Sequence, residues 1–246
     1  MKIKIGGIVE TSLTDVLFNP SFVVWFSFCN FRCPWCSNFS LVKGEGEWIE
    51  INELVRKIHE NKSFVEYVQA TGGEPTLQPD GLVELFSNVK TLGLKTSLDT
   101  NGSNPSVVRA LVKKKLIDHL AIDVKTELID EKYWRVIGRK YPHVVEKIKK
   151  TLYLANKVEF VEVRTTFVPS LLNVSDVISA LKEVKKICKE FNFVLQQFYP
   201  FDEILRRGFV DKLLPKRSLI EIGKKIKEEV GLDTLVIRTK GGMKII

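Results

Sequence analysis

Long apolar runs are missing from this sequence. Nowhere do ~20 consecutive residues stay apolar, which argues against a membrane-spanning helix. Cysteine is scarce, at four in 246 residues, too few for a disulfide scaffold at this length. Histidine is scarcer still, with three. The opening MKIKIGGIVETS lacks the charged-then-apolar pattern of a secretory signal. No internal repeat, low-complexity tract or linker interrupts the chain. These absences lead us to expect a cytoplasmic protein without a membrane partner, folded as a single domain over residues 1–246.

What is present is a 44% hydrophobic chain with 38 Lys and Arg against 30 Asp and Glu, a net charge of +8. A basic balance favours anionic partners. The lysines, however, are spread along helical patterns, and the runs Lys113-Lys114-Lys115 and Lys224-Lys225 fall on solvated faces. No basic segment interleaved with aromatics marks an RNA site, so nucleic acid is not an expected partner.

Short β-branched runs alternate with helical patterns. Strands are expected at 22–27, 65–70, 94–99, 118–123, 158–166 and 193–198, with helices near 52–60, 80–91, 105–115, 143–156 and 175–190. A segment at 3–9, a helix near 217–230 ended by Gly231 and a strand near 233–238 extend the layout. Asn104 before Pro105 reads as a helix start, as does Ser175. This alternation predicts βαβ units and a parallel sheet: an α/β fold, specifically a partial (β/α)6 TIM-like barrel. Parallel α/β folds bind ligands at the carboxyl ends of their strands, and the chemically pointed residues of six segments fall at such ends.

Three of the cysteines, Cys29, Cys33 and Cys36, lie just after the strand at 22–27. Thiolates suit iron–sulfur clusters and zinc alike. A closed structural zinc site needs four ligands, and the nearest histidine is His59. Three thiolates on a four-iron cluster would leave one iron open to a ligand. Spacing alone leaves both uses standing. Cys188 lies on the apolar face of a helix and reads as a buried thiol. The segment Thr71-Gly72-Gly73-Glu74-Pro75 follows the strand at 65–70. Its paired glycines permit close backbone approach, and Glu74 can accept a hydrogen bond from an ammonium. Asp99, Asp123, Lys125 and Arg164 stand at later strand ends. His119 and His143 show no partner pattern and read as structural.

The three-cysteine motif together with GGEP resembles the radical S-adenosylmethionine superfamily. The order and spacing of FCNFRCPWCSN, ATGGEPTLQ, TSLDTNG, AIDVK, VRTTFVP and LQQFYP narrow the resemblance to the glycyl-radical-enzyme activating enzymes, over about residues 20–205. Residues 206–246 then form a C-terminal α/β extension. The first two pieces identify the superfamily, while SLDTNG, the Asp-x-Lys of Asp123 and Lys125, and Arg164 look like the pyruvate formate-lyase activating type. LQQFYP looks like the branch that activates anaerobic ribonucleotide reductase.

The resemblance implies one 4Fe-4S cluster on Cys29, Cys33 and Cys36. It implies S-adenosylmethionine chelated at the open iron and cleaved reductively to a 5′-deoxyadenosyl radical. It implies Trp35 against the adenine, Asn38, Gly72, Gly73 and Glu74 on the cofactor, and Arg164 in contact with it. Asp99, Asp123 and Lys125 become the catalytic candidates, the two aspartates near ribose and methionine with a monovalent cation, Lys125 toward the methionine carboxylate or the partner's backbone. The implied partners are a glycyl-radical enzyme and an electron donor such as flavodoxin or ferredoxin, in an anaerobic setting. Ser37 stands where the family often has histidine, and Tyr199 stands near the place of another. A radical enzyme acting on RNA or a nucleotide-like molecule is the alternative, and a non-catalytic iron–sulfur or zinc protein is a third.

Overall fold

A strand covered by helices on one face and open to a cavity on the other should alternate apolar and polar side chains. Most of the later strands of this chain do so, and the alternation explains where the functional residues end up. The computed structural model describes residues 1–246. It begins with a hairpin, β1 (Lys2–Val16) and β2 (Asn19–Phe26), followed by α1 (Phe39–Val42) and the edge strand β3 (Glu47–Glu50). Helices and strands then alternate: α2 (Ile51–Asn61), β4 (Tyr67–Gly72), α3 (Pro79–Thr91), β5 (Lys95–Thr100), α4 (Pro105–Lys113) and β6 (His119–Asp123). The series continues through α5 (Asp130–Ile137), α6 (Val144–Ala155), β7 (Phe160–Phe167), α7 (Val174–Ile187) and β8 (Asn192–Gln197). The chain ends with α8 (Asp202–Arg206), α9 (Lys216–Val230), β9 (Val236–Thr239) and β10 (Gly242–Ile245).

All strands belong to one ten-stranded sheet in the order β10-β9-β8-β7-β6-β5-β4-β2-β1-β3. From β2 through β9 the neighbours run parallel, while β1, β3 and β10 are antiparallel additions at the edges. The order does not close on itself. This is the expected partial TIM-like barrel, with β9 as a further parallel strand. The six expected strands are all present. The short helix α5 was not foreseen, because its eight residues bury only Tyr133, Val136 and Ile137 and give little periodicity to read.

On the outer face, Phe22, Val24, Phe26, Val68, Ala70, Leu98, Leu120, Ile122, Val161 and Val163 join helix residues in a core of 56 buried residues. The inner face is different. Ser21, Gln69, Ser97, His119, Glu162 and Arg164 are buried there. A closed TIM barrel fills its interior with branched apolar side chains; here the interior is polar. Apolar residues are few there: Val23 and Ala121, and Leu17 packed on Val194 and Val236. The tip of the β1–β2 hairpin therefore turns inward and floors the barrel, with the Leu17 amide donating to Glu162 Oε1 at 2.9 Å.

Two helix starts differ from expectation. Asn104 occupies the position before α4, but its side chain donates to Thr76 Oγ1 at 3.0 Å and caps nothing. α7 is capped by Asn173, not Ser175, through a reciprocal capping box with Asp176. Asn173→Ala should therefore lower stability by about 1 kcal/mol, and Ser175→Ala should stay within about 0.5 kcal/mol. Urea unfolding of the metal-free protein checks this; equal losses at the two positions would contradict the capping geometry.

Candidate active site

The carboxyl ends of the parallel strands open into a cavity of about 250 Å³. On one side lies the irregular segment between β2 and α1, which carries the clustered cysteines. Four neighbours hold it in place. Glu74 N–H donates to Phe28 O at 2.7 Å and Gly73 N–H to Phe26 O at 2.8 Å, joining it to the end of β4. Arg32 N–H donates to Ile137 O at 2.8 Å, joining it to α5. Asn101 Nδ2 donates to Asn30 Oδ1 at 2.8 Å from the loop after β5. The Arg207 guanidinium donates to Cys36 O at 3.1 Å and Cys33 O at 3.2 Å.

The glycines here serve backbone contact. A Cβ on Gly73 would lie 2.1 Å from Phe28 O, and one on Gly72 (φ 115°) 2.4 Å from Phe26 O. They let the ends of β2 and β4 close on each other, and both residues also line the cavity.

Cys29, Cys33 and Cys36 are free thiols lining that cavity. Burial pushes Cys29 up to about 11 and Cys33 up to about 12, so loading a metal there must release protons. The donor set is three thiols with no histidine among the lining residues, which suits thiolate-bound irons and falls one ligand short of a closed zinc site. Cys188 is fully buried at the end of α7 and plays no part in the cavity.

Trp35 and Asn38 also line the cavity. The Trp35 indole donates to Val136 O at 3.2 Å, and Lys125 Nζ lies 5.1 Å above its ring. Lys125 is buried and donates to Asp123 Oδ2 at 2.6 Å. Burial opposes its charge, but Asp123 outweighs burial and holds the ammonium protonated. Asp99 accepts from Thr71 Oγ1 and Arg164, both at 3.0 Å. Burial lifts its pKa to about 6 against the pull of Arg164. Arg164 donates further to Glu162 Oε2 at 2.7 Å and to Asp15 O at 2.6 Å. Behind it, Glu162 lies 3.1 Å from His119 Nε2, and His119 Nδ1 meets Ser97 Oγ at 2.7 Å. Burial favours neutral His119, while burial of Glu162 is overcome by Arg164 and His119 so that it stays ionised.

Glu74 is the exception among the expected site residues. It is fully buried and does not line the cavity. Its Oε1 accepts from Thr76 N (3.1 Å), Thr76 Oγ1 (2.5 Å) and Thr100 Oγ1 (2.8 Å), and its Oε2 from Asn101 N (2.7 Å). Three of these bonds fall on Oε1 and one on Oε2, so Glu74 holds the neighbouring loops in position whatever else Oε2 accepts. Ser37 does line the cavity. Tyr199 does not: it packs on Phe201 and accepts from Lys240.

Sequence reasoning missed Asp15, Trp25 and Arg238, all of which line the cavity, and Glu162 behind it. Glu162 was findable, since it lies two residues before Arg164 on one strand and so shares its face. Arg238 was not, because it lies on a short strand whose place beside β8 is set by pairing far along the chain. Burial and the nearby Arg164 charge lower its pKa to about 10.

The model of the radical SAM superfamily matches residues 23–184. A protein of Methanocaldococcus jannaschii with the provisional name of glycyl-radical enzyme activating enzyme is 35% identical over 98% of each chain. The pyruvate formate-lyase-activating enzyme of Staphylococcus aureus is 25% identical over 67% of this chain and 71% of its own. Among solved structures, Streptococcus suis SuiB bound to its precursor peptide aligns over 89% of this chain and 48% of that one, with a TM-score of 0.67 and 19% identity; this is a likeness of fold.

Two outcomes follow from the site geometry. Alanine at Cys29, Cys33 or Cys36 should abolish iron and sulfide incorporation, whereas Cys188→Ala should retain one cluster per chain; cluster loss in Cys188→Ala alone would refute the assignment. Glu74→Gln replaces one acceptor oxygen with an amino group facing a donor. It should destabilise the metal-free protein by about 1.5–3 kcal/mol in urea. A glutamate kept free for a ligand's ammonium would instead leave the metal-free protein as stable or more so.

Proposed function

The chain belongs to the radical S-adenosylmethionine superfamily, whose enzymes use a 4Fe-4S cluster and S-adenosylmethionine, and on that premise we propose that it generates a glycyl radical on a partner enzyme. The observation that carries this reading is the 35% identity with the activating-enzyme relative over 98% of both chains, well beyond the segment common to the superfamily. The bound cluster and cofactor supply a carbon-centred acceptor for one hydrogen atom; the protein supplies position and shelter.

Cys29, Cys33 and Cys36 would hold the cluster, three thiolates leaving one of its irons open to the cofactor. Trp35 offers a flat apolar face beside the third cysteine, and Asn38 a polar contact at the same rim. Gly72 and Gly73 present backbone groups where side chains could not fit. Lys125, kept protonated by Asp123, and Arg164, oriented by Glu162, would offer hydrogen-bond donors to the methionine end of the cofactor. Asp99 and Asp123, both on the cavity wall, would accept from ribose hydroxyls or hold a monovalent cation. None of these groups needs to move a proton: hydrogen leaves the glycine Cα as an atom, and the chain's task is to keep donor and acceptor at ~3–3.5 Å.

A partner loop must enter for this to happen, and the sheet order leaves the barrel open at its side. We take the partner to be anaerobic ribonucleotide reductase, on the resemblance carried by LQQFYP, and a flavodoxin or ferredoxin to be the reductant. Mixed anaerobically with S-adenosylmethionine, a reductant and the host's anaerobic ribonucleotide reductase, the protein should yield a glycyl doublet in the electron paramagnetic resonance spectrum together with 5′-deoxyadenosine. Both should vanish with Cys33→Ala. A silent reductase, with transfer RNA consuming the cofactor instead, would replace this reading with RNA modification.

A further inference from the structure

The family model ends at residue 184, before β8 and β9, yet both strands contribute to the cavity wall. Gln196 and Arg238 are register partners on these parallel strands, so their side chains leave the sheet on the same face, and both line the cavity. Arg238 is anomalous. Its Nε and Nη2 are buried and find no hydrogen-bond acceptor in the protein. The nearest carboxylate oxygen, Glu162 Oε2, is 3.8 Å from Nη2, too far for a hydrogen bond, and Glu162 already accepts from Arg164 and the Leu17 amide. Gln196 makes no side-chain hydrogen bond and presents both a donor and an acceptor. Buried guanidinium donors without acceptors are costly, so this wall is built for oxygen atoms that a ligand brings.

Charge decides what kind of oxygen. Lys125, Arg164 and Arg238 already face Asp15, Asp99, Asp123 and Glu162. No cationic excess remains to attract an anion. A neutral acceptor suffices, and an amide side chain beside a guanidinium complements a peptide unit, which offers one N–H and one carbonyl.

We propose that Arg238 and Gln196 bind the main chain of the segment that carries the substrate glycine, Arg238 donating to a peptide carbonyl and Gln196 pairing with an adjacent peptide group. This rests on the activating function proposed above and adds the side of the cavity from which substrate is held. The shared segment 23–184 then carries the cofactor, and the elements beyond it read the substrate.

The test uses the cluster-loaded protein and a synthetic peptide spanning the glycine loop of the host's anaerobic ribonucleotide reductase, with affinity measured by isothermal titration in the presence of S-adenosylmethionine. Arg238→Ala should weaken the peptide roughly ten- to hundred-fold, as for loss of a charged hydrogen bond. Arg238→Lys, which keeps the charge and guards against misfolding, should fall between. A set of peptides in which single amides are replaced by esters, whose carbonyls accept poorly, should contain one that binds wild type weakly and loses little more on Arg238→Ala, the signature of a coupled pair. Peptide affinity unchanged in both variants, with wild type still producing the glycyl doublet, overturns this inference alone. Equal weakening of peptide and S-adenosylmethionine reassigns Arg238 to the cofactor and also overturns it. If wild type gives no doublet on either peptide or reductase, the activating function falls and this inference with it.

Discussion

The guanidinium of Arg164 is the contact on which the rest of the interior depends. It is buried, and it donates to Glu162 on its own strand, to Asp99 on β5 and to the Asp15 carbonyl at the hairpin tip. One planar fork thus ties β7 to β5 across β6 and fastens the floor of the barrel. The geometry is specific to arginine, since a lysine could not serve three fixed acceptors from a rigid plane. Removing one member would strand a buried charge, a loss of about 3–5 kcal/mol. Replacing the whole set with apolar residues could be neutral for stability but would fill the cavity. The polar interior is therefore read as a functional constraint that the fold accommodates.

Much of this was visible in the sequence. Alternation of β-branched runs with helical periods indicated the parallel sheet, because a strand between helices and a cavity must alternate. Clustered cysteines, the paired glycines and the acidic strand ends pointed to one mouth, because strand ends of a parallel sheet share an edge. What stayed hidden depends on contacts across the sheet. Ser97, His119 and Glu162 form a buried chain of polar contacts, yet they sit on three different strands and none looks unusual in its own segment. Leu17 reads as an ordinary turn residue until Val194 and Val236 appear against it. The hairpin strand β1 reaches Val16 instead of stopping near residue 9, since pairing with β2 through shifted register sustains it past a stretch of weak β pattern.

Glu74 shows how the fold adds a role that its motif does not announce. From sequence, a carboxylate beside two glycines at a strand end suggests a ligand's ammonium. In the fold, the glycines remove the side chains that would collide with β2, and the close approach of the two strand ends buries the carboxylate. Once buried it needs donors, and Thr76, Thr100 and Asn101 supply four hydrogen bonds. The same residue therefore fixes the loop after β5, whose Asn101 side chain then reaches Asn30 beside the first cysteine. The motif shapes the cofactor site through the backbone it immobilises.

The irregular cysteine segment has no hydrogen-bond ladder of its own, so its rigidity is borrowed. Part of the loan comes from α5, where Gly138 adopts a left-handed φ of 69° and a Cβ would lie 2.1 Å from Arg32 O. Part comes from Arg207, which holds the carbonyls of Cys33 and Cys36 and lies 3.4 Å over the Phe39 ring. Arg207 falls just past the point, near residue 205, where the family resemblance ends, and Arg238 lies farther on. The C-terminal segment thus contributes to both walls of the cavity, clamping the cysteine loop on one side and lining the β8–β9 face on the other. Three cysteines line the cavity, but a loop with so little structure of its own can present them in fixed positions only because later parts of the chain fold back onto it.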